Sequence, residues 1–161
     1  KQDLAREMER LARRGCSFCV AMARIDNYDK IVDEHGRDYA RQITKKISLL
    51  IMKCMRAFDD AYRMGNGEFI LSLKQAEISG GIAALDRLKD FLIKENVTYQ
   101  LAGEVTGLSM SCCVMEPLPG DDIDELLKNL RFDLNNTEKT KGSVLEYYEM
   151  SDLERFVQSS Q

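Results

Sequence analysis

The sequence predicts an α+β domain in which one sheet is layered against helices. Three observations carry that expectation. Helical and strand patterns follow one another in a mixed order without regular strand–helix alternation, an Asn66-Gly67 pair sits between two strand-like runs, and apolar residues recur at spacings of three and four through residues 41–58. At 161 residues the chain suits one domain, long enough to bury about 70% of the surface its unfolded form exposes.

Residues 3–14 carry Leu4, Met8 and Leu11 at helical spacing with Gly15 as a stop, so a helix feeds the first strand. Residues 17–25 (SFCVAMARI) are short, apolar and rich in strand formers, the pattern of a buried central strand that delivers Arg24, Ile25 and Asp26 to the end of a sheet. Ile43, Ile47, Leu50, Ile51, Cys54, Met55 and Phe58 give the helix at 41–58 one buried face. A strand at 61–64, a tight exposed turn at Gly65-Asn66-Gly67 and a strand at 68–73 make a hairpin. A second amphipathic helix spans 81–95, and strands at 99–102 and 108–115 form another hairpin, ended by Pro117 and Pro119. Asp121 and Asp122 open a third helix on Ile123, Leu126, Leu127 and Leu130, and a strand at 143–148 follows Gly142. Ser151 and Glu154 form a capping box for a terminal helix. Met52, Met55, Met64, Met110 and Met115 fall at core spacing and are expected to fill the interior.

Lys and Arg total 23 against 27 Asp and Glu, a net charge of −4, so no broad cationic field draws in a nucleic-acid backbone. Any anionic ligand must be held locally. No apolar run approaches the roughly 20 residues that span a bilayer. The five cysteines (Cys16, Cys19, Cys54, Cys112 and Cys113) sit among apolar neighbours, as buried thiols in a reducing compartment do. The expected location is therefore the cytoplasm, including the cytoplasmic part of a larger membrane-anchored protein. Cys16 and Cys19 form one C-x-x-C where a strand begins, without a helix start to lower a thiol pKa, so redox chemistry is not expected. His35, the single histidine, reads as a packing residue. The chain opens at Lys1 without a signal pattern, which fits a piece of a multidomain protein, with residues 1–149 as its domain and 150–161 as a helical tail.

Three segments stand in a joint register: Ile25-Asp26-Asn27-Tyr28 through Asp33 to Gly36, the turn Arg63-Met64-Gly65-Asn66-Gly67-Glu68-Phe69, and Lys139-Thr140-Lys141-Gly142. With them the chain resembles the GGDEF domain of bacterial diguanylate cyclases over about residues 1–149. The resemblance implies a nucleotide-cyclase-like fold, a central, mainly antiparallel five-stranded sheet flanked by helices. In that family two domains, each holding GTP on two divalent cations, face each other to make cyclic di-GMP. The family's two metal-binding carboxylates correspond here to Arg24 and Gly67, and the second glycine of the turn is Asn66. Mg²⁺ needs hard oxygen ligands to neutralise charge in phosphoryl transfer. The resemblance thus implies a degenerate turn (Gly65, Asn66, Gly67, Glu68 and Phe69) with no catalytic residues, no bound metal and no Mg²⁺ cofactor. The family's guanine-contacting Asn is Val32, which leaves Asp33 and Lys139 as vestigial nucleotide contacts.

One site of the family is intact, the product-binding motif R-x-x-D ahead of the turn, here Arg56-Ala57-Phe58-Asp59, with Arg63 adding charge. Arginine offers a rigid fork to the O6 and N7 acceptors of guanine, while aspartate accepts from the N1 and N2 hydrogens. Three residues apart at a helix end, both side chains face one ligand. The plainer reading is an exposed ion pair worth about 0.3–0.5 kcal/mol. The expected function is a catalytically inactive cyclic di-GMP receptor that regulates a neighbouring domain or a partner protein, with homodimerisation as a further possibility. The alternatives are a ligand-free dimerisation or protein-interaction module and a GTP-sensing regulator of an attached phosphodiesterase domain.

Overall fold

The computed structural model describes residues 2–15, 17–57, 59–136 and 145–149. The elements run α1 (Gln2–Arg14), β1 (Phe18–Ile25), α2 (Tyr28–His35), α3 (Arg37–Cys54), β2 (Asp60–Gly65), β3 (Glu68–Lys74), α4 (Ile78–Glu95), β4 (Thr98–Leu101), β5 (Glu104–Gly107), β6 (Met110–Met115), α5 (Ile123–Asn136) and β7 (Leu145–Glu149). Five strands form one sheet in the order β2-β3-β1-β6-β7. Every pairing in it is antiparallel except that of β6 with β7.

Side chains alternate across a strand, and β1 uses both faces. Cys19, Ala21, Ala23 and Ile25 join a core with Ile43, Ile47 and Ile51 of α3 and Leu85 and Leu88 of α4. Phe18, Val20 and Met22 join a second core with Leu4 and Leu11 of α1 and Leu127 and Leu130 of α5. From Phe18 to Ala23 the central strand is thus apolar because it has no solvent face there, and only Arg24 near its end is polar. Small residues on the first face let α4 approach closely. A Cβ added at Gly81 would stand 3.1 Å from Val114 Cγ2 and 3.3 Å from Cys19 Cβ.

Several boundaries depart from the sequence reading. The helix at 41–58 is α3, which starts earlier and ends at Cys54, because Met55 turns to extended backbone (φ −97°, ψ 151°). Arg56 and Asp59 therefore lie on the connection to β2 and not on a helix. The α2 helix was not expected, since it is only eight residues long and its apolar face is limited to Tyr28, Ile31 and Val32, of which Ile31 alone is fully buried. The segments at 99–102 and 108–115 do not pair with each other. Ala102 and Gly103, both at positive φ, turn β4 into β5, and β6 enters the main sheet beside β1. Of the methionines, Met110 and Met115 are buried, whereas Met52 on α3 is 68% exposed and Met64 on β2 is also exposed, so these two are not core filler. Ser151 and Glu154 lie outside the described residues, as does Cys16.

Cys19, Cys54, Cys112 and Cys113 are buried. Burial pushes the Cys54 thiol up to about 11 and the Cys112 thiol far higher, the state of inert core thiols. His35 has a packing role, with its ring 4.3 Å from that of Tyr39 and its Nε2 against the Gln100 carbonyl. No helix among the described residues is long and apolar enough to cross a membrane.

Candidate functional site

The turn between β2 and β3 is built on positive backbone angles, with φ of 86° at Gly65, 52° at Asn66 and 73° at Gly67. Two consecutive positive-φ residues form the tight hairpin turn whose twist matches the strands. Gly67 is buried, contrary to the expected exposure of the whole turn, because Tyr28 at the start of α2 lies over it. A Cβ at Gly67 would stand 2.7 Å from Tyr28 Cδ2 and 2.8 Å from Cγ, so the ring occupies the space into which any side chain at this position would emerge. The Gly67 carbonyl accepts from the Ile25 N–H at 2.9 Å, which ties the turn to the end of β1.

At that end, Arg24 donates through Nη1 to Asn135 Oδ1 at 2.6 Å and through Nη2 to Glu68 Oε1 at 3.4 Å. Arg131 reaches the other oxygen of Glu68 from Nε and Nη2, both at 3.3 Å. The two oxygens of Asp26 accept from the Ser109 and Ser111 hydroxyls at 2.7 and 2.8 Å. The carboxylates of Asp26 and Glu68 are thus committed to hydroxyls and guanidiniums. That donor set does not suit a divalent cation, which the Arg24 guanidinium would repel. Among the described residues no group of three or more His, Cys, Asp and Glu is placed to hold a metal.

Two cavities flank Tyr28 and Asn66. One, of about 510 Å³, is bounded by the turn and by Arg37, Arg41 and Arg63. The other, of about 500 Å³, lies between the head of α2 and α5 and contains Arg24, Lys30 and Arg131.

A separate cluster stands at the far end of β3. Asp59, with its side chain 0% exposed, accepts from the Arg56 N–H at 3.0 Å, Arg56 Nε at 3.1 Å, Arg56 Nη2 at 3.2 Å and the Lys74 N–H at 3.1 Å. Arg56 Nη2 also donates to the Lys74 carbonyl at 2.7 Å, while its side chain is 42% exposed. Asp59 therefore does not present the open acceptor that contact with guanine N1 and N2 hydrogens requires. It fixes the guanidinium of Arg56 instead.

The structure thus brings Arg56 and Asp59 together. It groups Arg63 elsewhere, in the cavity at the turn, where its Nε donates to Ser48 Oγ of α3 at 3.0 Å. Asp33 is exposed on α2 and lines neither cavity. Gly65, Asn66, Gly67 and Glu68 form the turn and its walls, whereas Phe69 is buried in the core. Lys139 lies outside the described residues. Sequence reasoning quoted Tyr28 within a motif without foreseeing its place over Gly67, and it missed Lys30, Arg131 and Asn135. The last two stand one helical turn apart on α5 and act together only because β1 ends beneath that helix.

The sheet order and the glycine turn at the mouth of two cavities define the class of domain. The solved structures with this fold include diguanylate cyclase SiaD from Pseudomonas aeruginosa, crystallised with its activator SiaC, at a TM-score of 0.78 and 23% identity over 92% of this chain and 56% of that one. The GGDEF domain of DgcB from Caulobacter crescentus, in complex with c-di-GMP, matches at a TM-score of 0.75 and 16% identity over 91% of this chain and 86% of that one. The family model described as "Diguanylate cyclase, GGDEF domain" matches residues 1–143, and the chain belongs to the GGDEF domain family. Diguanylate cyclase A of Treponema denticola is 26% identical over 52% of this chain, and diguanylate cyclase DosC of Escherichia coli K12 is 26% identical over 66% of it. The chain spans 22% and 23% of the lengths of these two relatives.

Proposed function

We propose that this domain is a noncatalytic receptor for cyclic di-GMP, read by the Arg56 guanidinium, which passes occupancy to a neighbouring domain or a partner protein. The observation that carries the reading is Arg56 itself, an arginine held in a fixed pose by a buried carboxylate while its side chain remains open to solvent. With Nε and Nη2 held by Asp59 and the Lys74 carbonyl, the guanidinium is a fixed and partly exposed plane on which a guanine can stack at little entropic cost. Asp59 acts here as a positioning group. The lack of turnover rests on Arg24 at the end of β1 and on the Tyr28 ring over Gly67, which leave neither position able to offer a carboxylate to Mg²⁺.

Two assays test it. Incubation with GTP and Mg²⁺ should yield no cyclic di-GMP, and product formation would contradict the noncatalytic reading. Cyclic di-GMP should raise the melting temperature of the domain and leave that of Arg56→Ala unchanged, since a ligand specific to the native state stabilises it by RT ln(1 + [L]/Kd). The four donors on Asp59 also suit a purely structural clamp, and a flat thermal shift would favour that second reading, a ligand-free interaction module.

A further inference from the structure

We infer that the outer face of α3 between Lys45 and Lys53 is a docking surface for an acidic amphipathic helix of a partner protein, held by Lys45, Lys46 and Lys53 and seated on Leu49 and Met52. The inference does not rest on cyclic di-GMP binding at Arg56.

The sequence makes this face cationic. Between Asp38 and Asp59 the chain has no Asp or Glu, while Arg41, Lys45, Lys46, Lys53 and Arg56 fall within that stretch. Both bounding carboxylates are engaged, Asp38 with Arg41 at 3.4 Å and Asp59 with Arg56 at 3.1 Å. Lys45, Lys46 and Lys53 are exposed and form no ion pair among the described residues. In a chain of net charge −4 they make a local field of the opposite sign. Lys46, Leu49 and Lys53 are spaced three and four apart, as are Lys45, Leu49 and Met52, so the five share one face about two turns long.

The apolar members of that face are not needed to hold the helix. Ile43, Ile47, Leu50 and Ile51 bury the opposite side of α3, whereas Leu49 is 54% and Met52 68% exposed. Each borders a groove. Lys46, Leu49, Leu50 and Lys53 form one wall of a cavity of about 420 Å³, and Glu95 to Thr98, where α4 passes into β4, form the other. Met52 lines a cavity of about 200 Å³ on the β2 side with Ile51, Ala61 and Arg63. This stretch of α3 is therefore a ridge between two grooves, the relief against which a second helix packs. Glu95 is the single carboxylate in the lining of the two grooves, against Lys46, Lys53 and Arg63.

Charge and shape select the occupant. A second copy docking through the same face would set lysine against lysine across a twofold axis. A lipid surface rewards a broad apolar face, and here only two apolar side chains stand out beside concave grooves. A helix with large apolar side chains three and four residues apart and carboxylates along its margins fills the grooves and pairs the lysines.

The test is fluorescence anisotropy of a dye-labelled helical peptide of about 20 residues, with leucines at that spacing flanked by glutamates, titrated with the domain in the absence of cyclic di-GMP. Saturable binding is expected that weakens with added salt and is lost when lysines replace the glutamates. The double variant Lys46→Glu with Lys53→Glu should weaken it about tenfold or more. Leu49→Ser, which removes no charge, should also weaken it, whereas Lys128→Glu on α5 should not. All four substituted positions are exposed, so the variants keep the fold. No saturable binding by the folded domain, equal binding of the lysine peptide, or equal loss with Lys128→Glu would overturn the proposal. So would adsorption to phosphatidylglycerol vesicles, through the same lysines, in preference to the acidic peptide.

Discussion

Gly67 shows how a single residue sets the chemistry of the turn. Its φ of 73° excludes most side chains, and the Tyr28 ring excludes the rest by filling the Cβ position. Gly67→Ala should therefore cost about 1–3 kcal/mol in a denaturant melt, with strain and overlap both contributing. In the double variant with Tyr28→Ala part of that loss should return, whereas strict additivity would show that the ring does not restrict the site. Asp59 is the other residue whose surroundings decide its role. Its buried oxygens satisfy the backbone N–H groups of Arg56 and Lys74, so Asp59→Ala should lower stability by about 1–3 kcal/mol. An unchanged melt would return Asp59 to the status of an exposed pair.

Between elements, the connections carry what the sequence pattern does not announce. The β4–β5 hairpin stands outside the main sheet and is tied to α2 and α3 by side chains. The Ala102 N–H donates to Glu34 Oε1 and Oε2 at 3.0 and 2.9 Å, and the Gln100 N–H donates to the Tyr39 hydroxyl at 3.3 Å. Glu34→Ala should accelerate hydrogen exchange of the hairpin amides while leaving the exchange of β1 amides unchanged, since local and global opening are separate events. Loss of protection across both would mean that the hairpin unfolds only with the whole domain. The central strand was legible because SFCVAMARI is buried on both faces, and α3 because its apolar period persists over five turns. The α2 helix was not legible, since Tyr28, Ile31 and Val32 make only one turn of apolar pattern in eight residues, too short a stretch to stand out as a helix. The Arg56-to-Asp59 motif was legible as spacing, but its engagement with Lys74 depends on where β3 ends, a long-range fact. Arg131 and Asn135 join Arg24 across more than a hundred residues of chain, and no local pattern marks that meeting.

Across the molecule, the sheet separates two cores and places two charged clusters at opposite ends of β3. The thiols buried in those cores make stability depend on pH in the alkaline range. The Cys54 thiol rises from 9.0 to about 11 in the folded state, so it stays protonated there while the unfolded chain ionises. The stabilisation is complete below pH 9 and is lost as pH rises through 11. The melting temperature should fall more steeply between these values in the native chain than in Cys54→Ala, and parallel curves would contradict this.

The most direct test of the receptor reading is a calorimetric titration of cyclic di-GMP into the domain and into Arg56→Ala. Saturable binding by the unmodified domain, abolished by the substitution while the fold is retained, is the predicted result. No binding at high micromolar ligand, or binding that survives the loss of Arg56, would contradict it.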